Sequence, residues 1–317
     1  MFDLPSLEAA ACVVYAAMPP TPQYPWPLLA ERTGAQVWVK HENHTPTGAF
    51  KVRGGLVYLD RLHRERPGVR GLVTATRGNH GQIIPYAARG MGVPVTVCVP
   101  RGNSTEKNAA MRAFGAELVE AGRDFDEARE RAAQLAAERG LEMVPSFHPD
   151  LVRGVATYAL ELFRAVGDLD TVYVPVGMGS GICGLIRTRD LLGLSTRIVG
   201  VVSAGAPAVA LSFEAGRVVT TETADTFADG IACRVPDPAA FAVIQAGADR
   251  IVRVTDAEVA IAMRAYWTDT HNLAEGAGAA PLAALLHEQE RMRGKRVGLI
   301  LCGGNIDLDL ARRVLTT

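Results

Sequence analysis

The sequence is poor in lysine, has almost no net charge, and lacks an apolar run long enough to cross a membrane. Four of its 33 basic residues are lysines, and the net charge over 317 residues is −1 at pH 7. This charge balance gives no electrostatic basis for binding nucleic acid or an anionic membrane. The five cysteines are scattered without a CxxC pair. That pattern argues against a disulfide framework or a zinc knuckle, and it favours a reducing cytoplasm.

The uncharged stretch from Ala9 to Ala30 is the segment to weigh as a membrane or targeting signal. Its apolar part ends at Met18, too short for a bilayer, and five prolines follow between residues 19 and 27. Asp3 and Glu8 stand where a signal peptide has basic residues. We predict a short helix followed by an extended, proline-rich crossing.

The scarcity of lysine draws attention to Lys51. It follows the strand-like run Val37–His41 and a turn with Pro46 and Gly48, and Phe50 and Lys51 then open a helix. Apolar neighbours and the positive end of a helix both favour the neutral amine. A neutral amine is what a lysine needs to form a Schiff base with an aldehyde cofactor.

The other lysines have ordinary explanations as solvated surface charges. Lys40 is expected to point outward from its strand, Lys107 follows a helix start, and Lys295 lies in a basic run near the end of the chain.

Strand-like apolar runs alternate with helical patterns along almost the whole chain. This rhythm is typical of an α/β protein with parallel sheets covered by helices on both faces. The predicted strands are Val37–Lys40, Leu72–Ala75, Val95–Val99, Glu117–Glu120, Met143–Val144, Val172–Val176, Ile198–Val202, Ile251–Val254 and Val297–Leu301. The clearest predicted helices are Asn79–Met91, Ser104–Phe114, Asp124–Arg139, Leu151–Val166 and Asp256–Asp269. Residues 72–149 form one compact block, so we expect a domain inserted into another, with ligands beyond the strand ends.

The loop from Thr76 to His80 follows a predicted strand and enters a helix. The Thr76 hydroxyl and the free N–H groups of the helix start suit a carboxylate. Asn79 can donate a hydrogen bond to a phenolic or carboxylate oxygen. An ordinary capping turn, with Asn79 as the N-cap, is the alternative.

A second loop suits a phosphate because its small residues let backbone N–H groups approach an anion. It consists of Gly177, Met178, Gly179, Ser180 and Gly181. A GxGxxG pattern also runs through it to Gly184, but a dinucleotide site needs an acidic residue after the next strand. That strand ends at Ser203-Ala204, so we favour a cofactor phosphate over a nicotinamide dinucleotide. A close packing turn between helix and strand is the other alternative.

These motifs together resemble the fold-type II (tryptophan synthase β-like) family of pyridoxal 5'-phosphate enzymes, and most of all its serine/threonine dehydratases. The resemblance covers nearly the whole chain. It rests on Phe50-Lys51-Val52-Arg53-Gly54, on the two loops, and on Cys302-Gly303-Gly304-Asn305. It implies a large cofactor-binding domain of residues 1–70 and 150–317, a small domain of residues 71–149, a cofactor in the cleft, and no C-terminal regulatory domain.

The resemblance also implies a role for each motif. Lys51 is then the catalytic residue that holds the cofactor. The groups expected around the cofactor are Phe50, Lys51, Asn79, Gly177, Met178, Gly179, Ser180, Gly181, Glu275 and Cys302, with Cys302 at the pyridine nitrogen. The groups expected around the substrate are Thr76, Arg77, Gly78, Asn79 and His80.

The implied reaction is β-elimination from a 3-hydroxy amino acid, which yields a 2-oxo acid and ammonia. Candidate substrates are threonine, serine, 3-hydroxyaspartate and phenylserine. Lys51 is then the general base at Cα. A thiol at the pyridine nitrogen, in place of a carboxylate, favours prompt loss of the β-substituent over transamination. A β-replacement enzyme, an amino-acid racemase and a non-catalytic binding protein of the same fold are the alternatives.

Two departures from the family limit what the resemblance implies. Arg77 stands where dehydratases usually have alanine or serine and racemases have a serine that transfers protons, so racemase activity is disfavoured. Arg77 pairs with a second substrate carboxylate, narrows the pocket, or faces solvent or a nearby acid. The turn Ser203–Val209 lacks the family's metal-binding carboxylates, so we predict no Mg²⁺ or Ca²⁺ there, and a monovalent cation is left open. We further expect a cytoplasmic enzyme of amino-acid catabolism, with a homodimer among the possible assemblies.

Overall fold

The computed structural model describes residues 1–316, and its strands form two separate sheets. In chain order the strands are β1 Gln23–Pro25, β2 Gln36–His41, β3 Leu72–Ala75, β4 Val95–Val99, β5 Ala116–Glu120, β6 Glu142–Met143, β7 Thr171–Pro175, β8 Arg197–Ser203, β9 Arg250–Val254 and β10 Arg296–Leu301. The larger sheet has the order β1-β2-β10-β7-β8-β9, and the smaller has the order β5-β4-β3-β6. Apart from the antiparallel pair β1 and β2, neighbouring strands run parallel.

Helices connect these strands and cover the sheets. They are α1 Leu4–Ala17, α2 Pro27–Thr33, α3 Lys51–Glu65, α4 Asn79–Ala88, α5 Thr105–Ala113, α6 Phe125–Arg139, α7 Pro149–Ala165, α8 Ser180–Leu191, α9 Ala208–Ala215, α10 Pro238–Gly247, α11 Asp256–Thr270, α12 Gly276–His287, α13 Gln289–Met292 and α14 Leu308–Thr316. Short 3₁₀ turns lie at Glu42–His44, Arg89–Met91 and Asp229–Ile231. Across residues 1–316, every helix is too short or too polar to cross a lipid bilayer.

The predicted elements are present, with ends that differ by at most two residues, except that the helix predicted as Asn79–Met91 becomes 3₁₀ after Ala88. The extended segment predicted near the proline-rich stretch contains β1, which pairs with β2 through Tyr24 and Val39. The prolines confine β1 to three residues at the edge of the sheet, where a missing N–H donor is tolerated.

The main core lies on both faces of the larger sheet. β7 and β8 are almost wholly buried, as expected for parallel strands covered on both sides. The helix α7 packs against α3 on one side and α8 on the other. The first turns of α3 and α8 are thereby fixed at the carboxyl end of the sheet, where ligands bind in such folds.

Candidate active site

A cavity of about 510 Å³ lies beyond the carboxyl ends of strands from both sheets. Nine of the predicted site residues line it: Lys51, Thr76, Arg77, Gly78, Asn79, His80, Gly177, Met178 and Glu275. Its remaining lining comes mostly from the helices α5 and α6 and from the long segment between α9 and α10. The cavity therefore joins groups that are more than 200 residues apart in the sequence.

Lys51 is the first residue of α3 and lines the cavity. Within residues 1–316 its amine has no hydrogen-bond partner, and its nitrogen lies 6.0 Å from the centre of the Phe50 ring. Burial lowers the pKa of Lys51, and this effect outweighs the opposing pull of the Glu275 carboxylate. The amine is thus more readily neutral than that of an exposed lysine, as a nucleophile or proton acceptor must be.

The loop from Thr76 to His80 leads directly into α4. Gly78 occupies the N-cap position, and its N–H donates to the Thr76 hydroxyl at 2.9 Å. The Asn79 side chain does not cap the helix but donates to Glu275, at 2.9 and 3.1 Å from its two carboxylate oxygens. The alternative of a turn capped by Asn79 is therefore wrong.

His80 lies at the inner end of this loop. Its side chain is buried, and burial lowers its pKa to about 3, so the imidazole is neutral at physiological pH. Its Nε2 has no partner in the described part of the chain. A neutral imidazole with one unused nitrogen is available to a bound molecule.

The glycine loop follows β7 and ends where α8 begins at Ser180. Gly179 has φ of +97°, a conformation that L side chains rarely adopt. A Cβ at Gly177 would lie 2.3 Å from the carbonyl oxygen of Gly230, so a larger residue would push that segment away. Gly177 and Met178 line the cavity, and α8 begins just behind them at Ser180, an arrangement that suits a phosphate.

Other predicted residues lie behind the lining. Gly179, Ser180, Gly181, Phe50 and Cys302 are not among the residues that line the cavity. The Phe50 N–H donates to the Cys302 carbonyl at 2.9 Å, which ties the start of α3 to the end of β10.

Glu275 and Cys302 form a buried acidic corner. Burial is the main cause of the raised pKa of Glu275, and it also raises the pKa of the Cys302 thiol, whose sulfur lies 3.9 Å from a Glu275 oxygen. The thiol is therefore protonated and presents no negative charge to a neighbouring group.

Lys107 was expected to be a solvated charge, and this prediction is wrong. Its side chain is 12% exposed, lines the cavity and lies 3.0 Å from Asp229. Although burial opposes the charged form, Asp229 and Glu275 hold the pKa of Lys107 above its usual value. The sequence did contain a signal for this position. Lys107 lies in the first turn of a helix that follows β4, and the carboxyl end of β4 lies at the same sheet edge as Thr76.

The prediction that Lys40 points outward is also wrong. Lys40 and Arg53 are fully buried and share Glu161, while Arg53 also binds Glu42 at 2.7 Å. Two cations and two anions thus balance beneath the start of α3. This buried cluster fixes the helix turn that begins with Lys51.

Three arginines line the cavity: Arg77, Arg129 and Arg234. Arg129 and Arg234 both bind Asp126, at 3.2 and 2.5 Å. Arg77 is exposed and lines the cavity, and its guanidinium has no partner within residues 1–316. Since Asp126 lies on α6 and Arg234 on the segment between α9 and α10, their ion pair joins two of the segments that line the cavity.

No group of three or more His, Cys, Asp or Glu side chains in the described chain is arranged to hold a metal ion. In the turn after β8, the Ser203 hydroxyl accepts the N–H of Gly205 at 3.1 Å. The predicted lack of a divalent metal at this turn stays a prediction.

The sequence and the structure were compared with those of known proteins. A family model described as pyridoxal-phosphate dependent enzyme matches residues 14–303. The L-threonine ammonia-lyase of Geobacter sulfurreducens is 38% identical over 88% of this chain and 69% of its own. The L-threo-3-hydroxyaspartate ammonia-lyase of Saccharomyces cerevisiae is 33% identical over 89% of this chain and 86% of its own. The structure of the processed form of threonine deaminase isoform 2 from Solanum lycopersicum superposes with a TM-score of 0.89 at 28% identity, covering 99% of this chain and 94% of the other.

Proposed function

Because the chain belongs to the family of pyridoxal-phosphate-dependent enzymes, we propose that it removes water from a 3-hydroxy amino acid and releases a 2-oxo acid and ammonia. The observation that supports this most directly is the position of Lys51. Its amine, with a lowered pKa and no hydrogen-bond partner in the described chain, lines the same cavity as the loop Thr76–His80. A basic amine in the same cavity as a carboxylate-binding loop suits abstraction of the Cα proton of an amino acid.

The cofactor of this enzyme is pyridoxal phosphate, and the residues that line the cavity or lie directly behind its lining fit its groups. Lys51 would bind the aldehyde carbon, and the N–H groups from Gly177 to Gly181 would hold the phosphate. The Asn79 amide would reach the phenolic oxygen, and Cys302 would face the pyridine nitrogen. When bound, this cofactor supplies an electron sink that stabilises negative charge at the substrate Cα.

The two cavity lysines differ because their surroundings shift their pKa values in opposite directions. Burial lowers the pKa of Lys51, so its amine accepts a proton at Cα. Asp229 and Glu275 keep Lys107 charged, so it does not compete as a base. We assign proton abstraction to Lys51 and charge balance near Glu275 to Lys107.

The loop from Thr76 to His80 would hold the substrate α-carboxylate. Free N–H groups at the start of α4 and the Thr76 hydroxyl provide donors for both carboxylate oxygens. With the α-carboxylate held in this loop, the β-hydroxyl is not bound by it and can depart as water. Water then returns at C2 as ammonia is released, so the overall reaction neither consumes nor produces water.

The printed names of the relatives support this substrate class. Threonine and 3-hydroxyaspartate, which the names of two relatives contain, are both 3-hydroxy amino acids. Elimination is also favoured over transamination by a protonated thiol at Cys302, since it adds no charge at the ring nitrogen. β-Replacement and racemisation are the alternatives, since both also begin with loss of the Cα proton.

The test is a substrate panel with the cofactor-loaded enzyme. Threonine, serine, 3-hydroxyaspartate and phenylserine are each assayed for 2-oxo acid and ammonia, with and without an added thiol nucleophile. We expect equal amounts of both products from at least one substrate, and the loss of both in Lys51→Ala. Lys295→Ala, which removes an exposed lysine, is the control. Incorporation of the thiol into product, or full activity in Lys51→Ala, would overturn the proposal.

We also propose the organisation of the whole protein from these features. Residues 1–70 and 150–317 would form the large domain and residues 71–149 the small one, since the smaller sheet lies within residues 72–143. A cytoplasmic catabolic enzyme is consistent with five cysteines that all remain free thiols. Assembly as a homodimer is to be tested by light scattering.

A further inference from the structure

We propose that Arg77 binds a second carboxylate of the substrate and so makes the enzyme selective for dicarboxylic 3-hydroxy amino acids. The inference rests on the proposed function and goes one step further, because it assigns the specificity of the site to one side chain.

Each of the other cations in the cavity has a role or a partner. Lys107 is paired with Asp229, and Arg129 and Arg234 share Asp126. Lys51 is assigned to the cofactor. Arg77 alone among the cavity arginines has no carboxylate within the described chain.

The remaining acidic residues of the cavity lining do not pair with Arg77 either. Asp124 caps α6 by accepting the N–H of Glu127, and Asp237 caps α10 by accepting the N–H groups of Ala239 and Ala240. Glu222, which also lines the cavity, forms no ion pair with Arg77. The guanidinium therefore keeps its five N–H donors for solvent or for a bound molecule.

The position of Arg77 in the chain selects the kind of ligand. Arg77 belongs to the loop Thr76–His80, which we assign to the substrate α-carboxylate. It lies between Thr76 and Gly78, and the Gly78 N–H donates to the Thr76 hydroxyl. In 3-hydroxyaspartate two carbon atoms separate the carboxylates, and the long arginine side chain spans such a distance. The planar fork of a guanidinium matches a carboxylate with two parallel hydrogen bonds.

A methyl or phenyl β-substituent offers Arg77 no acceptor. Threonine and phenylserine would then leave the guanidinium to water, while a second carboxylate would gain a charge-assisted pair. A site that bonds a polar substrate group discriminates strongly against analogues that lack the group. The expected preference is thus for a dicarboxylic substrate.

The first test compares kinetic constants in wild type, Arg77→Ala, Arg77→Lys and Arg101→Ala. Arg101 is an exposed arginine away from the cavity and serves as the matched control. For Arg77→Ala we expect the ratio of kcat/KM for 3-hydroxyaspartate to that for threonine to fall about 10- to 100-fold, mostly through KM. The ratio for Arg77→Lys should lie between those of wild type and Arg77→Ala. Lysine keeps the positive charge but cannot form the two parallel hydrogen bonds of a guanidinium. An unchanged ratio in Arg77→Ala would overturn the inference.

The second test measures binding without turnover. Succinate and butyrate have the same number of carbon atoms, but only succinate has a second carboxylate. Each is titrated against the cofactor-loaded enzyme and followed by the absorbance of the bound cofactor. We expect wild type and Arg101→Ala to bind succinate more tightly than butyrate, and Arg77→Ala to lose the difference. Persistence of the difference in Arg77→Ala would overturn the inference.

The two proposals fail in different ways. If no hydroxy amino acid yields a 2-oxo acid, the proposed function is wrong, and the succinate and butyrate titrations still decide the role of Arg77. If turnover is found but Arg77→Ala keeps the wild-type ratio, the function stands and the assignment of Arg77 is wrong. Arg77→Gln, which removes the charge and keeps a polar side chain, replaces the alanine variant if that variant does not fold.

Discussion

Glu161 balances the buried charges beneath α3, and replacing it with glutamine measures how firmly the turn that begins with Lys51 is held. Its carboxylate accepts from Lys40 at 2.5 Å and from the two terminal nitrogens of Arg53 at 2.6 and 2.9 Å. In Glu161→Gln, two buried cations face one remaining carboxylate, that of Glu42. The variant keeps the shape of the side chain, so the change is mainly one of charge.

The expected cost follows from burial. The Lys40 side chain is fully buried and that of Glu161 is 6% exposed, so water screens the lost charge poorly. Removing one partner of a buried ion pair typically costs about 3–5 kcal/mol. The control is Glu65→Gln, which breaks a helix-surface pair with Arg61 whose side chains are 44% and 56% exposed. An exposed pair of this kind contributes little to stability, because water screens its charges.

The assay is urea-induced unfolding of the cofactor-loaded enzyme at pH 7, followed by tryptophan fluorescence. We expect a large decrease in the unfolding midpoint for Glu161→Gln and almost none for Glu65→Gln. A loss below about 1 kcal/mol in Glu161→Gln would refute the view that this cluster is poorly screened and balanced in charge.

The difference in unfolding free energy between wild type and Glu161→Gln should also depend on pH, which provides an independent check. Burial raises the pKa of Glu161, but Arg53 and Lys40 together bring it below its usual value. A carboxyl group with a lowered pKa in the folded state stabilises the fold above its unfolded pKa, and this contribution is lost as the pH falls through the folded pKa. The gap between wild type and Glu161→Gln should therefore narrow on acidification. A gap that widens would contradict the assigned charges.

Three further predictions concern the cavity. Gly177→Ala should weaken cofactor binding, measured by absorbance titration, because the added Cβ meets a backbone carbonyl at 2.3 Å. Arg234→Ala should raise KM more than it lowers kcat, since it removes the 2.5 Å pair with Asp126 that joins two segments lining the cavity. In the cofactor-free protein, Lys51 should react with an acylating reagent at neutral pH faster than a solvent-exposed lysine does, because burial lowers its pKa. Peptide mass spectrometry after timed labelling measures that rate.

Each of these predictions has a matched control. Gly90→Ala adds a Cβ with no atom within 4 Å and should bind the cofactor normally. Arg123→Ala breaks an exposed pair with Glu127 and should leave KM unchanged. Lys295 serves as the exposed lysine in the labelling experiment. Equal effects in a variant and its control would contradict the corresponding prediction.

Much of the fold was predictable from the sequence because parallel strands buried on both faces leave continuous apolar runs. Leu72–Ala75 and Val95–Val99 were predicted with their observed ends. The strand β1 was not predicted, because three residues in a proline-rich segment give no periodic pattern. β1 is a strand because it pairs with β2. The family, the fold class, the cofactor and the lyase reaction type inferred from the motifs are confirmed by the comparisons. The domain boundaries and the individual site assignments remain predictions.

The candidate site was predictable where function depends on local sequence. Lys51 and the loop from Thr76 to His80 were found because a helix start after a strand is itself a short sequence pattern. Lys107 was missed because its partner Asp229 is 122 residues away along the chain. Lys40 was missed for the same reason, since Glu161 is 121 residues away and alternation along a strand does not reveal a buried partner.

The lysines show why side-chain chemistry has to be decided in three dimensions. Lys40, Lys51 and Lys107 are all removed from bulk water, yet they have different partners: Glu161 for Lys40, Asp229 for Lys107, and no hydrogen-bonding or ion-paired group of the described chain for Lys51. Burial lowers the pKa of both Lys40 and Lys51, but only Lys40 has a carboxylate in direct contact, and that contact favours the charged form. The reactive amine is therefore identified less by its burial than by the absence of a carboxylate in direct contact with it within the described chain. The same reasoning singles out Arg77 among the cavity arginines, because an unpaired cation in a binding site is available to an anionic ligand.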